Sequence, residues 1–141
     1  MGQQQLLLLV LGVVVVGIAV IFGVYLFDER YRLQSGDDLL NRNVQIAQEA
    51  ANWRGRSLIH GGGGGGSFDA LATGGIGALG LNDTDANGQY AILSASGVTL
   101  EVVGVSTRYE GVGAYARIVA NNIDSTAVRY DGSISLPGAR P

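Results

Sequence analysis

The hydrophobic pattern of the chain begins with an uninterrupted apolar stretch, LLLLVLGVVVVGIAVIFGVYLF, over residues 6–27. These 22 residues include no charge, no amide and no proline. As a helix they would extend roughly 33 Å, which is about the thickness of a bilayer core. A surface helix of a soluble protein would carry a polar stripe, and this segment has none. The pattern predicts a helix that crosses a membrane or lies inside a bundle of helices, as an anchor or a polymerisation surface.

A secretory signal is the other common origin of such a segment. A signal has a basic start, an apolar core of about 7–15 residues and a small-residue cleavage pattern. Here residues 1–5 have no basic side chain, and the longer apolar core runs directly into Asp28-Glu29-Arg30. We therefore expect the helix to be retained.

Beyond residue 28 the pattern becomes amphipathic and predicts a continued helix. Its apolar positions are spaced by four, three and four residues, as on one helical face: Leu40, Val44, Ala47 and Ala51. Trp53 is expected to pack against the rest of the fold, and Gly55 to end the helix.

A break in this helix is predicted at Ser35-Gly36. Ser35 is followed three residues later by Asp38, which is similar to a capping box with an acid at its last position. The pattern therefore indicates a kink or a fresh helix start.

The next segment, residues 55–88, is rich in glycine. Gly61–Gly66 is an unbroken run that has no side chains with which to form a core. Large apolar residues then recur between further glycines: Phe68, Leu71, Ile76, Leu79 and Leu81. We predict a long loop that is held to the core at intervals.

From residue 89 the apolar period is two, which predicts β-strands. The expected strands start at Tyr90, at Val98 and at Ala114, and Val128–Tyr130 with Ile134–Leu136 completes the set. Asp131-Gly132 is a typical hairpin signal. The prediction is an α+β fold, with a long helix over residues 1–54, a glycine-rich loop over 55–88 and an antiparallel head of four or five strands over 89–141.

Composition narrows the function. The chain has nine basic residues, all of them Arg, against 12 acids, and its net charge is −3 without a basic cluster. Nucleic acid is therefore not an expected partner, since phosphate binding needs concentrated positive charge. With no Cys, one His and no G-x-S-x-G motif, the chain offers no catalytic constellation, and we expect no enzyme activity.

One motif has the spacing of a metal loop. Asp83, Asp85 and Asn87, followed by Gly88, match D-x-D-x-N-G, which places oxygen ligands on alternate residues around Ca²⁺. Ser94 stands where the bidentate acid of such loops is expected. Two interpretations remain, a calcium site and a plain Asx turn that leads into the first strand. No other cofactor is expected.

Small residues mark one face of the apolar segment. Gly12, Ala19 and Gly23 follow one another at steps of seven and four, and Ala19-x-x-x-Gly23 is a pair that lets two helix backbones approach closely. The residues predicted to mediate helix packing and polymerisation are Leu6, Gly12, Val16, Ala19, Gly23 and Phe27.

A half-apolar, half-amphipathic N-terminal helix followed by a variable loop and a small antiparallel sheet resembles the type IV pilin and pseudopilin superfamily. The resemblance implies a structural subunit of a helical filament built from identical copies. It also implies insertion in the inner membrane before assembly, export by a pilus assembly machinery and a final place on the cell surface. The alternative is a single-pass membrane protein that presents its β head, as a minor pseudopilin or a binding module, without forming long polymers.

The N-terminus departs from the superfamily's pattern. No basic leader precedes the apolar segment, and Gln3, Gln4 and Gln5 stand in the region where pilins carry a glutamate. We expect these glutamines to supply hydrogen bonds where the superfamily uses a charge.

Overall fold

The computed structural model describes residues 2–63 and 65–138, which form an α+β fold with one long helix and a four-stranded antiparallel sheet. Helix α1 covers Gly2–Gly55, and a four-residue helix α2 covers Leu71–Gly74. The strands are β1 (Gly88–Ser96), β2 (Thr99–Ser106), β3 (Gly113–Val119) and β4 (Asn122–Arg129). The chain divides into two compact units, Met1–Leu33 and Gln34–Pro141. From here on, the head means this second unit, which includes the end of α1 in addition to the sheet.

Helix α1 is continuous for 54 residues, so the predicted break at Ser35-Gly36 is wrong. Both residues are buried against the sheet instead. The Ser35 and Ser106 hydroxyls share a hydrogen bond of 3.1 Å. A Cβ on Gly36 would lie 2.6 Å from the Tyr130 hydroxyl and 2.8 Å from a Val128 methyl. The glycine is therefore a point of close approach between helix and sheet rather than a helix stop.

The buried stripe of α1 also differs from the prediction. Of the predicted positions Ala47 is buried, whereas Leu40, Val44 and Ala51 are only half-buried. The other core residues lie in the adjacent row: Leu39, Asn43, Ile46, Ala50 and Trp53. The helix is thus rotated by about one residue from the predicted orientation. Trp53 packs in the core and Gly55 ends the helix, as predicted.

The sheet has the order β1-β2-β3-β4 with antiparallel neighbours throughout. Leu100 and Val102 of β2 alternate toward the α1 side, where they pair with Ile118 and Ala116 of β3. The fifth strand expected at Ile134–Leu136 is absent among the described residues, so Asp131-Gly132 does not close a hairpin. Ile134 instead packs on the opposite face of the sheet, where a Cβ on Gly113 would meet it at 2.8 Å.

The glycine-rich segment holds to the core at intervals, as predicted. Phe68, Leu71 and Ile76 are buried, and Leu79 and Leu81 are partly buried. The segment is more structured than expected, because 3-10 turns form at Leu58–His60 and Ile76–Leu79 in addition to α2. Part of its glycine run lies flat on the helix end, since a Cβ on Gly63 would meet the Trp53 ring at 2.6 Å.

Candidate functional site

The N-terminal unit presents a long exposed apolar surface. Its large apolar side chains over residues 6–27 are each 50–70% exposed, and the most hydrophobic window of α1 buries nothing within the chain. By length and composition this helix is able to cross a membrane. A surface of this size and polarity requires lipid or another apolar surface to cover it.

The predicted packing residues lie within this exposed segment. A Cβ added at Gly12 or Gly23 would meet no atom within 4 Å, and Leu6, Val16 and Phe27 are more than 60% exposed. Gly12, Val16, Ala19, Gly23 and Phe27 share one side of the helix, because their spacings of three or four residues follow the helical period. Leu6 lies on another side. The shared side is open for a second helix to approach closely.

The predicted hydrogen-bonding residues Gln3, Gln4 and Gln5 lie in the first turns of α1. All three side chains are exposed to solvent. Their pairing with another copy stays a prediction.

The Asp83–Gly88 motif forms a compact turn that precedes β1. Asp85 Oδ1 accepts hydrogen bonds from the amides of Asn87 (2.8 Å) and Gly88 (2.9 Å) and from the Tyr90 hydroxyl (3.3 Å). The other oxygen, Oδ2, lies 3.8 Å from Nε of Arg42 on α1. This is the geometry of an Asx turn whose carboxylate also ties the loop to the helix.

The hydrogen bonds of this turn determine which carboxylate oxygens are available to a metal ion. Asp83 Oδ1 accepts a hydrogen bond from the Thr84 hydroxyl at 3.3 Å, and Asp85 has both oxygens engaged. Across residues 2–63 and 65–138, no three His, Cys, Asp or Glu side chains are placed to hold a metal ion. Of the two interpretations, these contacts favour the plain Asx turn, and calcium binding by Asp83, Asp85 and Asn87 stays the alternative interpretation.

Burial around this turn affects Tyr90. Its ring is 3% exposed, and burial, followed by the Asp85 charge and hydrogen bond, raises the pKa of Tyr90. The hydroxyl stays neutral at physiological pH and acts as a donor to Asp85.

Asn43 is a buried polar residue that the sequence pattern did not identify. It is fully buried at the centre of the helix–sheet contact, where its Nδ2 donates to the Ala114 carbonyl oxygen at 2.9 Å. Among residues 2–63 and 65–138, its Oδ1 has no hydrogen-bond partner. Gly104 faces this oxygen across the contact, since a Cβ there would lie 3.1 Å from it. The lack of a side chain at Gly104 provides the room in which the amide fits.

The opposite face of the sheet carries a charged cluster. Glu101 accepts hydrogen bonds from the hydroxyls of Ser94 and Tyr115, both at 2.8 Å, and Arg117 lies between Glu101 and Asp124 at 3.9 Å from each. The hydrogen bond from Ser94, then that from Tyr115, lowers the pKa of Glu101. Burial, then the hydrogen bond to Glu101, raises the pKa of Tyr115 to about 12. The cluster is a set of cross-strand pairs that stabilises the sheet.

Comparisons with known proteins found no protein similar to this chain. No family model matches the chain, and neither a curated protein nor a solved structure does.

Proposed function

We propose that the chain is a structural subunit of a pilus-like helical filament, and that residues 6–27 anchor it in a membrane before assembly. The observation that carries the proposal is the exposed apolar segment at one end of a 54-residue helix. On the side of that segment lined by small residues, a Cβ at Gly12 or Gly23 would meet no atom of the described residues within 4 Å. Identical copies can cover this surface for one another by packing their helices side by side.

The energy available for assembly follows from the exposed surface. Residues 6–27 expose 18 large apolar side chains. Burying each of them is worth about 1.5–3 kcal/mol relative to water, so the gross gain in a bundle is on the order of tens of kcal/mol. Inside lipid this driving force is absent, and close packing at small residues determines which helices associate. A subunit would thus be stable in the membrane and would polymerise on extraction from it.

The resemblance to pilins gives the proposal its topology. The subunit is inserted in the inner membrane, a pilus assembly machinery extracts it, and the finished filament lies outside the cell. The head then forms the part of the subunit that faces the medium.

A second candidate is a membrane-anchored β head that forms no long polymers. It is favoured by the same length and hydrophobicity, which suffice for a single membrane span. Both candidates begin with membrane insertion, and they differ in whether the apolar segment later contacts other copies.

Three substitutions in the apolar segment test the filament proposal. Gly23→Leu and Ala19→Leu place bulk on the predicted packing side, whereas Gly17→Leu makes a matched change about 120° away around the helix. A Cβ at Gly17 or Gly23 meets nothing within 4 Å, so neither change disturbs the fold of the chain itself. Overpacking at a close contact costs about 1–3 kcal/mol. Filaments sheared from expressing cells should therefore decrease strongly for the first two variants and little for Gly17→Leu.

Normal filament yields from both Gly23→Leu and Ala19→Leu would contradict packing through this side of the helix. Wild-type chain that remains wholly in the membrane fraction would contradict the filament and favour the anchored head.

A further inference from the structure

A shallow groove on the N-terminal unit combines an apolar floor with a cationic rim. It is lined by Gly23, Leu26, Phe27 and Arg30. The missing side chain of Gly23 forms a notch, and a Cβ there would meet no atom within 4 Å. Arg30 follows Gly23 by seven residues, almost two helical turns, so its guanidinium lies on the same side roughly 10 Å further along the axis.

The positive charge of Arg30 is uncompensated. Within residues 2–63 and 65–138, the Arg30 side chain has no ion pair or hydrogen bond. Arg32, by contrast, lies 4.0 Å from Glu29 in an ion pair. At 100° per residue, Asp28 and Glu29 lie on other sides of the helix from the groove. The groove therefore ends at a cation that no carboxylate of its own segment neutralises.

The position of the groove matches the boundary of a membrane. Residues 6–27 are long enough to cross the hydrocarbon core, and Arg30 lies just beyond their end. Tyr25 and Tyr31 flank this level and are 69% and 57% exposed. Aromatic residues of this kind concentrate at membrane interfaces, where Arg extends its charge toward the headgroups.

We infer that this groove binds a single phospholipid, with an acyl chain in the Gly23 notch and the phosphate on Arg30. A phospholipid carries both chemistries, since an acyl chain that starts near the anionic phosphate is long enough to reach a notch roughly 10 Å away. A bidentate guanidinium–phosphate contact would supply the anion that the chain itself does not provide. The inference needs only membrane insertion, so it is independent of whether the chain polymerises.

Native mass spectrometry of the full chain in detergent micelles tests the inference, with palmitoyl-oleoyl phosphatidylglycerol as the lipid. Arg30→Gln removes the cation, and Arg32→Gln is the matched control because that arginine is already paired within the segment. Gly23→Leu fills the notch, and Gly17→Leu is its control. A diacylglycerol without phosphate tests the headgroup, and flotation with phosphatidylcholine/phosphatidylglycerol vesicles measures insertion separately.

The wild type should retain one phosphatidylglycerol with about fivefold higher affinity than Arg30→Gln, the factor expected for one arginine at an anionic headgroup. Gly23→Leu should also lose retention, while both controls stay within twofold of the wild type and diacylglycerol is not retained. Equal retention by wild type and Arg30→Gln would overturn the inference, as would an equal loss in Arg32→Gln. Arg30→Gln that abolishes dimers but keeps the lipid would overturn it too, because a carboxylate of a second copy would then be the partner of Arg30.

Discussion

Replacing Gly104 by alanine tests how closely Tyr90 of β1 and Asn43 of α1 pack over this position of the sheet. A Cβ at this position would lie 2.6 and 2.8 Å from Cδ1 and Cε1 of Tyr90, and 3.1 Å from Oδ1 of Asn43. Neither neighbour is free to move into solvent, because Tyr90 is 3% and Asn43 is 0% exposed. The new methyl group therefore has to separate the helix from β2 or displace the Tyr90 ring.

The cost follows from these distances. Carbon atoms in proteins pack at about 3.5–4.0 Å, so the Tyr90 ring has to shift by about 1 Å. Overpacking of this kind costs about 1–3 kcal/mol. The cost of Gly104→Ala is expected at the upper end of this range, because movement of the Tyr90 ring also strains its hydrogen bond to Asp85. For a domain of this size, about 3 kcal/mol lowers the unfolding midpoint by about 10 °C or more.

Trp53 provides the assay. It is the one tryptophan of the chain and is 6% exposed in the core, so its fluorescence reports thermal unfolding of the head in the full chain held in non-ionic detergent. Gly77→Ala is the matched control, since a Cβ at Gly77 meets nothing within 4 Å. The control should stay within about 2 °C of the wild type, or rise slightly through reduced entropy of the unfolded chain. A midpoint for Gly104→Ala that equals the wild type would refute the close packing of the Tyr90 ring and Asn43 over Gly104.

Three further predictions concern the polar groups of the head. The hydrogen bonds from Ser94 and Tyr115 hold the pKa of Glu101 below its ordinary value of 4.5. Its contribution to stability is therefore complete above pH 4.5 and is lost as the pH falls through the lower pKa of the folded state. In denaturant titrations, the free energy of unfolding should decrease more steeply with falling pH for the wild type than for Glu101→Gln. Asn43→Asp should destabilise the head by about 3 kcal/mol or more at neutral pH, because it buries an unpaired carboxylate. Asn43→Leu introduces no charge and should cost less, although it is bulkier and removes the donor to the Ala114 carbonyl. Asp85→Ala should cost about 1 kcal/mol through loss of the turn, and millimolar Ca²⁺ should leave the unfolding midpoints of wild type and variant unchanged.

Each of these predictions has a contrary result. If the free energy of unfolding decreased equally with falling pH in wild type and Glu101→Gln, the hydrogen bonds to the carboxylate would not stabilise the fold. Equal losses in the two Asn43 variants would show that volume, and not polarity, decides the site. A rise in the wild-type midpoint with Ca²⁺ that Asp85→Ala abolishes would establish the calcium loop.

Much of the fold was predictable because its patterns are local. The end of α1 at Gly55 and the paired strands follow from helix-stop chemistry and from alternation of apolar residues. The 22-residue apolar segment was equally clear, since membrane-spanning length and the absence of polar side chains are properties of sequence alone.

The errors all depend on contacts between distant residues. Gly36 was interpreted as a break, but its missing side chain is what admits Tyr130 and Val128. The buried stripe was placed one residue away because Asn43 is polar, and only the space at Gly104 shows that the core accepts it. Two adjacent rows on α1 contain apolar residues, and contact with the sheet determines which row is buried.

For the candidate surface too, the local sequence pattern was predictable and the spatial arrangement of the residues was not. The exposed segment was predicted, but the groove at its end was not, because its notch and its unpaired arginine are recognised only when Gly23 and Arg30 are placed on one side of the helix. The neighbouring acids Asp28 and Glu29 lie on other sides of the helix.

The most direct test of the account is electron cryo-microscopy of material sheared from the surface of cells that express the chain. We predict thin helical filaments whose central density fits parallel copies of residues 6–27, with the small-residue side of each helix against a neighbour. A chain that stays in the membrane fraction, with no filament that contains it, would contradict polymerisation and leave a membrane-anchored head.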